Sequence, residues 1–446
     1  MMVRIGAGAG FQGDRIDPAI DLAERGALDY LVFECLGERT IALAQQARIE
    51  DPAGGYDPLL DRRMRAVLPA CRRNGTRIIT NMGAANPVAA ARKTRAIAQE
   101  LGITGLRVAA VTGDDVLDRI GTYVLDETGA TAAALGSRLV SANAYTGIGG
   151  VVAALDAGAD VVICGRASDP TLFLAPLVHE FGWAHDDWTR LGRGTLIGHL
   201  LECAAQVTGG YFADPGVKDV PDLAQVGYPL AEVSEDGSAV ITKLPGTGGQ
   251  VTRATCIEQL LYEIHDPARY LQPDVVADFS GVQFDQIGPD RVAVSGAGGA
   301  AATGLLKVSV GYRDGWLGEG QISYAGANCV ARGQMAIDLV RARLAPLADR
   351  IDDSRAELIG VNSVWTGGAG GAQSPEVRMR YAARCHDIDT ARRIGEEVEG
   401  LYLTGPAGGG GATKHLREVL AIASTLVPAR DVPTTFQMEE VQDEIA

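Results

Sequence analysis

The chain of 446 residues reads as an α/β protein, with a mainly parallel sheet flanked by helices in its first half and an α+β second half. Three observations point there. From residue 1 to about 215, short runs rich in Val and Ile alternate with stretches of helical periodicity, the pattern of repeated strand–helix units joined by right-handed crossovers. Further on, short strands of alternating polarity mix with helices. The 57 glycines, set against few aromatics, supply the tight turns and close backbone approaches that such a fold with ligand-binding loops requires.

In order, the strands expected in the first half are 3–6, 28–33, 77–80, 106–111, 139–142 and 161–164. Helices are expected at 18–25, 41–49, 87–101, 114–118, 149–157 and 170–181. The stretch DPGVKDVPDLAQVGYP at 214–229 interrupts this periodicity with proline, glycine and charge, so the domain boundary is expected there, giving an α/β domain over 1–220 and an α+β domain over 221–446. For the second domain the expected strands are 239–243, 292–295, 305–311, 316–324, 359–364 and 376–383, and the expected helices 255–264, 330–347, 388–399 and 414–424. No fixed-period repeat and no low-complexity tail is visible.

Composition narrows the partners. With 40 Lys and Arg against 56 Asp and Glu, the net charge of −16 repels nucleic acid and anionic membranes. A small anionic substrate is still allowed, through local basic clusters. The seven cysteines are odd in number and scattered, with no C-x-x-C pair, and read as reduced, packed thiols. MMVRIGAGAG lacks the apolar core of a signal peptide, and no run approaches the ~18 apolar residues of a membrane span. A cytoplasmic location is the expectation.

In parallel sheets, ligands gather at the carboxyl ends of the strands, where helix N-termini and side chains converge. Polar residues fall at those ends here: Glu34 after LDYLVF, Asn81 after RIIT, Thr112 and Asp114 after RVAAV, Asn143 after LVSA, and Arg166 with Asp169 after VVICG. Glu34, Asn81, Asn143, Arg166 and Asp169 are therefore the candidate catalytic residues. Arg166 carries a planar fork suited to a carboxylate or phosphate, or is occupied by a salt bridge to Asp169. Asn86 reads as a helix cap or a second pocket amide.

Gly8, Gly10 and Gly13 form G-x-G-x-x-G after the first strand, and Glu34 stands 21 residues past Gly13, as in dinucleotide-binding folds. The helix, however, begins near Asp17, several residues late, so a generic strand-to-helix turn competes with NAD(P) binding. The run TGPAGGGGATK at 404–414 is expected to lead into a helix. Gly408, Gly409 and Lys414 would there hold an anion, or the loop would pack an interface between domains or subunits. No metal site is expected: His179 and His185 are not i, i+4 partners. His199, Glu202 and Cys203 share a helical face, with Cys203 either a nucleophile or a packed thiol.

NMGAANP at 81–87, GRASDP at 165–170, LECAAQVTGGYFADP at 201–215, LYEIHDPARYLQPDVVADF at 261–279 and GEGQISYAGA at 318–327 together resemble the acyclic terpene utilisation, AtuA-type, family, over roughly residues 3 to 425. The resemblance implies membership of gene clusters that degrade citronellol and geraniol through acyl-CoA intermediates. Many larger relatives add a C-terminal ferredoxin-like domain. With the chain ending at Ala446, soon after Phe436, that added domain is not expected.

These features lead to an enzyme acting on a small carboxylic acid or its CoA thioester, of lyase, hydratase or isomerase type. Glu34 or Asp169 would transfer the proton, while Asn81, Asn143 and Arg166 would hold the carbonyl. CoA would enter as part of the substrate, and no other cofactor is assigned. Two alternatives stand beside this: an NAD(P)-dependent oxidoreductase using Gly8, Gly10, Gly13 and Glu34, and a non-catalytic subunit of a multienzyme complex. A homo-oligomer is expected.

Overall fold

The computed structural model describes residues 1–365 and 374–440. They fall into two compact units, Met1–Gly311 with Ile422–Ala446, and Tyr312–Ala421. Among the described residues no helix is long and apolar enough to cross a membrane.

The first unit opens with β1 (Met2–Ala9), α1 (Asp17–Arg25), β2 (Tyr30–Phe33), α2 (Glu38–Glu50), α3 (Leu60–Asn74), β3 (Arg77–Thr80), α4 (Pro87–Glu100) and β4 (Arg107–Thr112). Next come β5 (Leu139–Ala144), α5 (Gly149–Asp156), β6 (Val161–Cys164), α6 (Thr171–Phe181) and α7 (Trp188–Leu201). Five of these strands lie parallel in the order β1-β2-β3-β6-β4. Every residue of β2 and β6 is buried, as expected when helices cover both faces of a parallel sheet. Prolines stand at the starts of α1 and α4, where the missing N–H leaves no hydrogen bond unmade. Asn86 caps α4 by accepting the Ala89 N–H at 3.3 Å.

The chain continues through β7 (Pro229–Ser234), β8 (Ala239–Lys243), α8 (Arg253–Leu261), β9 (Tyr270–Leu271), β10 (Val276–Asp278), β11 (Gln283–Gly288), β12 (Arg291–Ser295) and β13 (Gly298–Ala300). Strands β7, β8, β12 and β11 extend the sheet antiparallel beyond β1, whereas β13, β10 and β9 form a small sheet of their own. The stretch 214–229, read as a domain boundary, thus lies inside the first unit. It leads into β7, whose ladder with β1 carries the sheet across the expected break.

The last elements are β14 (Leu305–Ala325), α9 (Cys329–Leu344), β15 (Ile351–Ile359), β16 (Glu376–Cys385), α10 (Ile388–Glu399), β17 (Gly410–Pro428) and β18 (Thr435–Glu440). Strand β18 pairs antiparallel with β4 and completes a ten-stranded sheet. The second unit is strand, helix, strand, strand, helix, strand, ordered β15-β16-β14-β17. That is the ferredoxin-like arrangement, set between two parts of the first unit rather than added after it. Its own core gathers Ile322, Tyr324, Ile337, Val340, Met379, Ile394 and Val398.

The expected elements differ at four places. At 359–364, read as a strand, only Ile359 is extended, as the last residue of β15, and the residues after it form a turn. Residues 114–118 are not helical, because Asp115 bridges to Asn143 and the Val116 N–H donates to Ala142 O at 2.9 Å. The two strands expected over 305–324 are one continuous strand, β14. Residues 414–424, expected as a helix, lie within strand β17 at the edge of a sheet. The helix-forming run KHLREVLA is overridden there by pairing along the sheet.

Candidate functional site

At the carboxyl ends of β1, β2 and β6 the first unit encloses a cavity of about 1050 Å³. Its wall draws on the turn after β1 (Gly10, Phe11), the residues after β2 (Glu34, Leu36, Glu38) and those after β6 (Arg166, Ser168, Asp169). Tyr145 follows β5, and Tyr270, Leu271 and Lys307 enter from later in the chain. The parallel sheet accounts for the first three groups, since strand ends and helix starts converge on one edge.

Glu34 is buried at this edge. Its Oε1 accepts the Leu36 N–H at 2.8 Å and Asn81 Nδ2 at 2.9 Å. Asn81 Oδ1 in turn accepts the Cys35 N–H at 2.8 Å. Asn81 is fully buried and outside the cavity wall, so it orients Glu34 instead of meeting a ligand. Burial pushes the Glu34 carboxyl up to about 8, with the Asp169 charge adding to it and Arg166 and both hydrogen bonds opposing it. Burial thus favours the protonated form of Glu34.

Arg166 is 2% exposed and lies over the Tyr145 ring, its guanidinium carbon 3.9 Å from the centroid. Nη1 donates to Leu36 O and stands 3.0 Å from Asp169 Oδ1. Burial raises the Asp169 carboxyl from its ordinary value, against the pull of Arg166. Glu38 behaves oppositely. Burial would raise it, but Tyr145 Oη donating at 2.6 Å, Lys307 Nζ donating at 3.1 Å and the Arg166 charge outweigh burial and hold it at about 2. The cavity thus holds acids of separated proton affinity beside a fixed cation.

Asn143 lies behind this wall. Its Nδ2 donates to Asp114 Oδ2 at 2.8 Å, the same oxygen that accepts the Arg166 N–H at 2.9 Å. Gln45 Nε2 donates to Asn143 Oδ1 at 3.2 Å. Burial pushes Asp114 up to about 6. A Cβ on Gly165 would come within 2.5 Å of that carboxylate, so glycine is what lets Asp114 reach the Arg166 backbone. Asn143 fixes Arg166 through Asp114 and does not line the cavity.

The Gly8–Gly13 turn packs more than it opens. A Cβ on Gly8 would sit 2.6 Å from the Phe33 ring, and one on Gly10 would sit 2.5 Å from the Cys203 backbone. The Gly10 N–H donates to Asp14 Oδ2 at 2.9 Å. The carbonyls of Phe11, Gln12 and Asp14 accept from Arg63 Nη2 at 3.3, 2.9 and 3.3 Å. Gly10 and Gly13 do line the cavity, but a carboxylate already occupies the first backbone donor of the turn.

Gly408, Gly409 and Lys414 belong to the second unit. The anion site expected of them needed a helix N-terminus; Lys414 lies instead in β17, with Nζ 2.5 Å from Glu399 Oε2. A Cβ on Gly409 would come 2.9 Å from Ile322, so this glycine packs on the core. All residues lining the cavity lie in the first unit.

The seven cysteines are free thiols. His199 Nδ1 faces Glu202 Oε1 at 2.8 Å and Nε2 faces Leu260 O at 3.1 Å, leaving neither nitrogen for Cys203. Burial raises the Cys203 thiol, which argues for a packed thiol. Sequence reasoning passed over Glu38, Tyr145, Lys307 and Arg63.

No curated protein and no solved structure matches the chain. The family model described as acyclic terpene utilisation family protein AtuA matches residues 3–438, nearly the whole length, and the chain belongs to that family.

Proposed function

We propose that the chain is an enzyme that moves a proton on a small carboxylic acid or its CoA thioester, by hydration, elimination or isomerisation, without a redox cofactor. The observation that carries this reading is the pair Glu34 and Asp169. Both carboxyls bind protons more tightly than in water, and both line one cavity with Arg166 between Asp169 and Leu36. A carbonyl placed against Arg166 would meet a fixed positive charge as its oxygen becomes negative. Asp169 would take a proton from the adjacent carbon and Glu34 would deliver one, the division of labour expected where two acids differ in environment. The family name supports a role in metabolism; terpenoid acyl groups are one substrate class to test.

A panel of enoyl and hydroxyacyl compounds, as acids and thioesters, incubated in D2O and followed by mass spectrometry, tests the reading. Deuterium uptake or water addition is expected. Glu34→Gln should lower the rate by about 10² to 10⁴, and Arg166→Ala should do likewise with the circular dichroism spectrum unchanged. Unchanged kcat/KM in both variants would sink it.

A second reading, an NAD(P)-dependent oxidoreductase, draws on one observation: Gly10, Gly13 and Glu34 line the same cavity. The Asp14 carboxylate on the Gly10 N–H weighs against it. A clear rise in melting temperature with NADH would favour it.

A further inference from the structure

The charges around the cavity have a sorted arrangement. Five carboxylates line it (Glu34, Glu38, Asp126, Asp169 and Glu263) against two cations, Arg166 and Lys307. Each cation is taken. Lys307 Nζ donates to Glu38 at 3.1 Å. Arg166 Nη1 donates to Leu36 O and stands within ion-pair distance, 3.0 Å, of Asp169 Oδ1, and its Nε is sealed from solvent without a partner. Among the described residues Nη2 likewise has no partner, and, unlike Nε, it is not sealed from solvent, so it is the nitrogen left to reach a ligand.

Pairing these groups leaves little net charge inside. Glu38 pairs with Lys307 and Asp169 with Arg166, while burial of Glu34 favours its neutral form. Asp126 and Glu263 are exposed, so the remaining negative charge lies toward solvent. The rest of the wall is largely apolar, with Phe11, Leu36, Leu271, Pro273, Leu306 and Leu426. A carboxylate entering here would shed its hydration, pass two negative groups and find no unpaired cation, and a desolvated, uncompensated charge is among the costliest things a site can hold.

Resting on the reading of this cavity as the active site, we infer that the substrate presents an uncharged acyl head, an ester or thioester carbonyl on an apolar chain, and that the free carboxylate is excluded. Arg166 Nη2 then donates to a neutral carbonyl oxygen. Because its charge is already balanced, its attraction grows only as negative charge develops on that oxygen, which is the condition for stabilising the transition state above the ground state. The volume of about 1050 Å³ lies at the upper end of ligand pockets and accommodates a chain as well as the head.

The test matches three ligands of one chain length on the full chain at about pH 7 and low salt: octanoate, octylamine and the N-acetylcysteamine thioester of octanoic acid. Calorimetric titration should show the thioester binding about ten-fold or more tighter than either charged compound. Leu426→Trp, at a half-exposed position on the cavity wall, should abolish the difference. Binding of octanoate or octylamine as tight as the thioester overturns the inference, as does binding of none of the three. Deuterium exchange read on the same samples separates the two claims. A thioester that binds without exchange leaves the charge inference standing and removes the proposed reaction; an acid that binds and exchanges does the reverse.

Discussion

Glu34 owes its chemistry to which donors reach it and which do not. Leu36 N–H and Asn81 Nδ2 both fall on Oε1, so the second oxygen is left to hold a proton. Asn81→Ala would remove one donor that favours the charged form and strand the buried Cys35 N–H. A loss of ~1–3 kcal/mol in urea unfolding is expected, together with an upward shift of the pH at which activity changes; a shift toward lower pH would refute this account of Glu34. Strand-end positions 34, 166 and 169 could be found from the sequence because β2 and β6 are short apolar runs with sharp ends. Which of them face the cavity could not, since alternation sets the side of a residue only within a strand. Asn81 and Asn143 sit at equivalent ends, yet fall one layer back. Glu38, Tyr145 and Lys307 meet only after three separate elements have folded, and no local pattern records that meeting.

Helix α3 shows how one element controls another at a distance. Its Arg63 is fully buried, paired with Asp57 at 3.5 Å, and collects three carbonyls of the turn after β1. Replacing it with Ala would leave Asp57 buried without its cation and release that turn. The expected cost is ~3–5 kcal/mol, with new proteolytic cleavage between residues 10 and 15; a stability change under ~1 kcal/mol would show that the turn holds itself. The strand–helix alternation of the first half was legible because its periods of two and 3.6 are distinct. Strand β17 was not, because Leu, Arg, Glu and Ala in its first half favour a helix locally and only the neighbouring strand reverses the choice. Pro69 inside α3 sends an opposite false signal, of a break where the helix continues.

At the scale of the molecule, two units with separate cores should unfold in more than one step, and their pH responses should differ. The first unit buries Glu34, Asp57, Asp114 and Glu202 and half-buries Asp274, and desolvation raises these carboxyls to about 8, 6, 6, 7 and 6 from ordinary values of 4.5 or 3.8. Each holds its proton more tightly folded than unfolded, so across roughly pH 4 to 8 the native state binds more protons, and its stability falls as pH rises. In the second unit the shifts run the other way: the Thr390 N–H holds Asp387 down, and Arg380 holds Glu319 down despite burial. Their stabilisation is complete above the ordinary carboxylate range and is lost only in stronger acid. Between about pH 5 and 8 the first unit should therefore lose on the order of 5–10 °C in melting temperature while the second stays nearly constant. Calorimetry, with hydrogen exchange read by mass spectrometry to assign each transition, decides it. A first-unit transition that rises with pH would mean that these carboxyls are ionised in the folded protein, and a proton-holding Glu34 would fall with them.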